Sequence, residues 1–320
     1  MDRRLHFVVG KGGVGKTTVA AALAMMLARQ GRRVLAVEMD AAGRLPGLLG
    51  GHGAATQPTE VQPGLFVLTV EGRAALEEYL GLIIPVRRLL QTIFQSRVYQ
   101  YFVAAAPGLK ELMTVGKIWY EATRTEEGRL AWDAIVVDAP ATGHSLQVLR
   151  MPQSARDTFG AGLVQREAAR VVEFLQDART TAVHLVTLAE EMPVAEALEA
   201  RAELTGHLGL PLGYVVVNRL HGRRFSPALV ERLRGAQGRL PAREQPLVAA
   251  VVARAAEESS WAEINRQHLE RLRGELGATE IVELPFLFVE EFDARALGQL
   301  AGVLEQALGP PAAVQARRRP

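Results

Sequence analysis

A chain of 320 residues, 48% hydrophobic and 22% charged, is long enough for one large α/β domain or two small ones and has an ordinary globular make-up. It contains no cysteine, which rules out disulfides, thiolate metal sites, cysteine-ligated iron–sulfur clusters and thiol redox switching. A net charge of +2 gives no argument for a nucleic-acid partner, and no apolar run nears the roughly 18–20 residues of a membrane span. The opening Met1-Asp2-Arg3-Arg4 runs straight into an apolar stretch, so a cytoplasmic chain without a signal peptide is expected.

The first predicted strand, 5–9, leads into Gly10-Lys11-Gly12-Gly13-Val14-Gly15-Lys16-Thr17-Thr18, a full match to the phosphate-loop pattern G-x-x-x-x-G-K-[ST]. Glycines let consecutive N–H groups turn inward around phosphate oxygens, Lys16 supplies a charge to the β- and γ-phosphates, and the Thr17 hydroxyl ligates Mg²⁺. The run from Thr18 to Arg29 reads as a helix whose N-terminus points at the phosphates. One lysine suffices to hold a triphosphate, so the second, Lys11, suggests a nucleotide site completed by another subunit.

Further strands are expected at 33–38, 65–69, 134–138, 182–187, 213–218 and 280–284, each nearly all apolar and separated by helical patterns. This alternation predicts a doubly wound, mostly parallel α/β sheet of about seven to eight strands. Asp40 follows the second strand, where a carboxylate can orient or deprotonate an attacking water or can cap the next helix. Ile135-Val136-Val137-Asp138 ends in a carboxylate placed to hold Mg²⁺ through water, and the Gly143 loop after it can change shape around a γ-phosphate. Asn218 closes a later strand and can pair with an adenine edge; Asn218-Arg219-Leu220-His221 lacks the aspartate of a guanine-reading N-K-x-D, so ATP is expected. The segments 72–127 and 151–180 interrupt the alternation and read as helical insertions within one domain spanning 1–308, while 309–320 reads as a disordered basic tail. A long helical connection over 241–276 carries an apolar stripe of Leu247, Val251, Val252 and Ala255.

The phosphate loop, Asp40, Asp138-Ala139-Pro140-Ala141-Thr142-Gly143-His144-Ser145-Leu146 and Val217-Asn218-Arg219 together resemble the ArsA-type ATPases, the family of the arsenite-pump ATPase and the ATPase that targets tail-anchored membrane proteins. The resemblance implies that Lys11 reaches a partner subunit's nucleotide and that Asp40 positions the hydrolytic water. The family's Asp-Pro-Ala-His switch reads Asp40-Ala41-Ala42-Gly43 here, without its proline and histidine. By the same resemblance Asn218 contacts adenine, Glu190 is an acidic residue on the nucleotide side, and Pro285-Phe286-Leu287 lies beside the purine ring.

The resemblance also implies an ATP- and Mg²⁺-dependent cycle in a dimer of this chain with itself or with a paralogue. Lacking cysteine, the chain fits neither thiol-based arsenite sensing, nor a Cys-x-x-Cys zinc tie, nor an iron-protein cluster. The apolar stretch 76–119 is either core, an interface, or a surface for a hydrophobic protein client. A nucleotide-gated scaffold with little turnover and a MinD- or ParA-like positioning ATPase are the competing expectations; the proline-rich tail suits a membrane helix poorly.

Overall fold

The computed structural model describes residues 3–39, 43–84, 87–106, 108–237, 239 and 241–309. Asp40, Ala41 and Ala42 lie outside the described residues, as does the tail from 310 onward. The elements follow in chain order as β1 (Leu5–Gly10), α1 (Lys16–Arg29), β2 (Val34–Met39), α2 (Arg44–Leu48), β3 (Thr59–Gln62), β4 (Leu65–Val70), α3 (Gly72–Ile83), α4 (Arg87–Gln95), α5 (Arg97–Ala105) and α6 (Leu109–Thr123). A two-residue hairpin, β5 (Thr125–Glu126) and β6 (Arg129–Leu130), precedes β7 (Ala134–Asp138), α7 (Thr142–Thr158), α8 (Leu163–Gln176), β8 (Thr181–Leu188), α9 (Glu191–Ala202), β9 (Leu212–Leu220), α10 (Pro227–Gln237), α11 (Gln245–Leu276), β10 (Ile281–Pro285) and α12 (Ala294–Leu308).

The seven apolar runs all become strands of one sheet, in the order β10-β9-β8-β1-β7-β2-β4-β3. All neighbours run parallel except β3, an antiparallel edge strand against β4. The sequence reading missed β3 because three of the four residues of its Thr-Glu-Val-Gln are polar and its partner is the strand two residues on.

Side chains alternate between the two faces. Leu5, Phe7, Val9, Ile135, Val137, Val183 and Leu185 pack under α6, α7, α8, α9 and the C-terminal half of α11. Val8, Ala36, Val136 and Val216 pack against α1 and α12 on the other face. Helix α1 is so enclosed that Val19 through Leu27 are all buried, so apolar residues surround it rather than forming one stripe.

The helical stretch after β4 divides. Val115, Ile118 and Ala122 of α6 belong to the main core, whereas Leu76, Tyr99 and Val103 form a separate small cluster joining α3 and α5. Helix α6 is tied to the start of β7 by Trp132, whose Nε1 donates to the buried Glu121 carboxylate at 3.0 Å. The stripe expected on α11 splits likewise: Val252 and Ala255 pack with Val230 of α10, while Leu247 and Val251 face solvent. No helix among the described residues is long and apolar enough to cross a membrane.

One polar pair lies within the α1 side of the sheet. His6 of β1 and His184 of β8 are fully or almost fully buried and bonded ring to ring at 3.0 Å. His6 Nε2 donates to the Arg3 carbonyl, so its Nδ1 accepts from His184 Nε2, and His184 Nδ1 accepts from the Tyr214 N–H. All four ring nitrogens are satisfied only when both rings are neutral. Burial is the main cause pushing His6 down to about 3, and it holds His184 well below its ordinary value.

A histidine with a depressed folded value contributes stability fully present above about pH 6.5 and lost as pH falls towards 3. Each such ring steepens the acid side by up to about 1.4 kcal/mol per pH unit. Urea unfolding of His6→Leu between pH 6 and 4.5 is therefore expected to show a pH slope shallower than wild type by about one proton.

Candidate nucleotide site

The strand register brings the site's residues level. Val8 of β1 and Glu38 of β2 both pair with Asp138 of β7, so three strand carboxyl ends meet beside the loop that follows β1. Gly10 closes β1 at φ 152°, and a Cβ there would stand 2.2 Å from the Val186 carbonyl oxygen of β8. Gly15 takes φ 90°, and its missing Cβ leaves room for the Asn218 amide, which would otherwise lie 2.3 Å away. The loop can pass this close to β8 and β9 only because both positions are glycine.

Helix α1 starts at Lys16 with no side-chain cap and no acidic residue in its first turn. Its first N–H groups and its dipole therefore present a positive end to the loop, as a phosphate requires. Lys16 Nζ donates to the Lys11 carbonyl at 3.0 Å, curling over the loop. Burial lowers its pKa, and the Asp138 charge acts in the opposite direction.

Asp138 sits at the end of β7, 7% exposed. Burial pushes its carboxyl up to about 6, against the Thr17 hydroxyl hydrogen bond and the Lys16 charge, with Glu38 adding to the rise. Its Oδ1 is buried without a hydrogen-bond partner. A buried, half-satisfied carboxylate beside a threonine hydroxyl at a phosphate loop fits a hydrated Mg²⁺, which takes few protein oxygens and keeps its waters and phosphates. Thr17 and Asp138 would hold the ion.

Lys11 behaves differently from Lys16. Its ammonium forms an ion pair with Glu196 of α9, at the loop's outer edge, and its side chain is 40% exposed. The two lysines of the motif thus diverge, one over the phosphate cradle and one along the surface.

Glu38 was read as part of an apolar strand, yet it is buried at the strand end with three backbone partners. Gly43 N–H donates to one carboxylate oxygen at 2.9 Å, and Arg44 and Leu45 N–H donate to the other at 2.9 and 3.2 Å. No sequence signal marks this, since the donors are main-chain groups. Asp40, the expected water-handling residue, lies outside the described residues between these two anchors.

The residues expected around the base are spread along the ends of β8, β9 and β10. Asn218 is 4% exposed and donates from Nδ2 to the Val14 carbonyl at 2.9 Å, while its Oδ1 accepts from the Arg219 N–H. Its amide thus braces the back of the phosphate loop. Pro285 ends β10, and Phe286 stacks on His221 with ring centroids 4.6 Å apart. His221 is itself held by Glu258 at Nδ1 and by Asn265 at its N–H, both 2.9 Å, and Asn265 Nδ2 donates to the Ala189 carbonyl at 3.0 Å. The sequence reading quoted His221 but gave it no role, and it passed over Asn265, a buried polar residue in a long helix. Glu190 is exposed at the N-cap of α9, beyond β8.

The chain matches the family model described as anion-transporting ATPase over residues 3–172, which contains the phosphate loop, Asp40 and Asp138. It is 36% identical over 222 residues to ATPase BagA of Mycobacterium tuberculosis, a match covering 68% of this chain and 65% of that protein. It is 30% identical over 230 residues to the arsenical pump-driving ATPase of Escherichia coli, covering 66% of this chain and 38% of the pump protein. The corresponding protein of Acidiphilium multivorum is 30% identical over 229 residues, covering 66% and 38%. The matches thus span less than two thirds of these relatives' lengths. With more than half of its length inside the family model and the loop geometry to match, the chain belongs to the ArsA ATPase family.

Proposed function

We propose that this chain is a cytoplasmic, Mg²⁺-dependent ATPase that hydrolyses ATP in a dimer closed across its nucleotides and uses the cycle to bind and release a protein client. The observation that carries the hydrolytic part is the Asp138 carboxylate, buried with one unpartnered oxygen against the Thr17 hydroxyl at the mouth of an uncapped helix. Family membership and the relatives' names as ATPases support the same reading.

In this reading the loop N–H groups and the first turn of α1 orient the triphosphate. Lys16 exchanges the Lys11 carbonyl for β- and γ-phosphate oxygens. Thr17 and Asp138 would hold Mg²⁺, which would supply positive charge to the transferring group. Asp40 accepts a proton from the attacking water or orients it, and Asn218 keeps the loop from shifting by holding Val14. Lys11 releases Glu196 and turns to the nucleotide across the interface; support for this is its position away from its own cradle. Apolar side chains at the surface support a protein client, with Tyr101 73% exposed on α5, and Phe159, Leu163 and Val164 exposed around the start of α8. The relatives' names speak of arsenical pumps; a chain without cysteine would have to meet any such anion with non-thiol ligands.

Lys16→Ala is expected to weaken ATP binding by on the order of 10²-fold, the equivalent of two charge-assisted hydrogen bonds of about 1.5 kcal/mol each, as read by a fluorescent-nucleotide titration. Asp40→Asn should retain that affinity and lose roughly 10²- to 10³-fold in steady-state turnover; normal turnover would remove Asp40 from the mechanism. Light scattering with ATP and Mg²⁺ is expected to show a dimer for wild type and a monomer for Lys11→Ala, and a monomer for both would contradict the shared site.

A further inference from the structure

The amino ends of β1, β8 and β9 lie at the opposite end of the sheet from the phosphate loop, and a cavity of about 740 Å³ opens there. Small residues leave the space: Ala182 and Gly213 line it from the strands, Ala178 and Ala278 from the turns before β8 and β10. A Cβ on Gly213 would stand 2.7 Å from the His184 ring, so the close approach of β9 to that ring needs glycine. His6 and His184 form part of the wall, and the Tyr214 ring lies parallel to His184 with centroids 5.5 Å apart. Leu212 and Leu276 make the wall partly apolar.

Two arginines line the same cavity, both half-buried. Arg3 Nε donates to the Ala178 carbonyl at 2.9 Å, and Arg201, in the last turn of α9, donates from one terminal nitrogen to the Glu275 carbonyl at 3.2 Å. A carbonyl fixes a guanidinium without neutralising it, and among the described residues neither arginine has a carboxylate partner. Arg179, at the same cavity, is already engaged: its Nε and one terminal nitrogen donate to Asp177, both at 3.0 Å. Glu280 is the one carboxylate among the lining residues, and it is exposed. Two unneutralised positive charges therefore stand against one negative charge. Burial holds the His6 and His184 rings unprotonated, and the Arg3 charge adds to it.

We propose that this cavity is a second binding site, separate from the nucleotide site, for a small organic anion. A carboxylate or phosphate group of the ligand takes the remaining N–H donors of Arg3 and Arg201, and its apolar part lies against Leu212 and Leu276. Planar guanidinium forks suit the oxygens of either group. The volume falls within the roughly 300–1,000 Å³ of small-molecule sites and far exceeds what a bare inorganic ion fills. About 13 Å of β1 separates His6 from Gly10 at about 3.3 Å per residue, so the two sites are distinct.

The test uses the full chain with Mg²⁺–ADP present throughout, so that added phosphates do not compete for the phosphate loop. The probes are phenyl phosphate, benzoate, inorganic phosphate and neutral benzyl alcohol, followed by NMR through the ring resonances of His6 and His184. Phenyl phosphate or benzoate is expected to shift both rings saturably with a Kd below about 1 mM, and inorganic phosphate to bind at least about tenfold more weakly. Preference for phenyl phosphate assigns the ligand's group as phosphate, and preference for benzoate assigns it as carboxylate. Arg3→Ala and Arg201→Ala should each weaken the better probe by at least about tenfold, while Arg179→Ala changes it by less than about twofold. Glu280→Gln should tighten binding by about two- to threefold. A wild-type melting temperature in these variants is expected and places the loss at the cavity rather than in the fold. No saturable shift with either organic anion up to about 10 mM, equal binding of benzyl alcohol, or an Arg179→Ala loss as large as that of Arg201→Ala overturns the proposal. Inorganic phosphate binding as tightly as the better organic probe also overturns it.

Discussion

A carboxylate buried beside a hydroxyl with one oxygen unpartnered is a costly thing for a protein to keep, and the architecture around Asp138 is arranged to hold it there. The parallel register sets the ends of β1, β2 and β7 level, so Asp138 cannot withdraw without breaking pairs on both sides. The uncapped first turn of α1 and the Lys16 ammonium supply positive potential from the loop side. Two helical layers exclude water from both faces of the sheet behind it. Each of these features has another role, but together they hold a buried carboxylate where a cation and a polyphosphate would fit.

The parts of this design that were legible in the sequence are those written in local patterns. The phosphate loop is contiguous, and its glycines, lysines and threonine are each required by the turn or the chemistry. The seven apolar strands are legible because parallel strands covered on both faces leave no room for polar alternation. The strand-terminal Asp138 was legible for the same reason, since a charge at the end of such a run needs a cause.

What stayed hidden lives in tertiary geometry. His6 and His184 are 178 positions apart, and nothing in either neighbourhood announces that their rings meet. Glu38 answers main-chain donors, which every residue has, so no side-chain pattern betrays it. Asn218 was recognised as a strand-end amide, but which way an amide turns depends on the Gly15 backbone it abuts. The apolar stripe of α11 read as one surface, and packing divided it, because α10 covers only the side that carries Val252 and Ala255.

Helix α11 is pinned close to its middle. Asn265 fastens it to the ends of both β8 and β9, and Leu269, Leu272 and Leu276 anchor everything beyond into the core. Glu258 holds His221 as well, so the part that packs on α10 alone runs from Gln245 to Glu258 and reaches about 20 Å from that contact at 1.5 Å per residue. Such an arrangement is a projecting arm, partnered by α10, whose root is fixed at the strand ends. A tilt of about 10° at Glu258 carries the tip about 3.5 Å. The strand ends behind the phosphate loop are thus joined through His221 and Asn265 to a surface far from them, where Leu247 and Val251 are exposed.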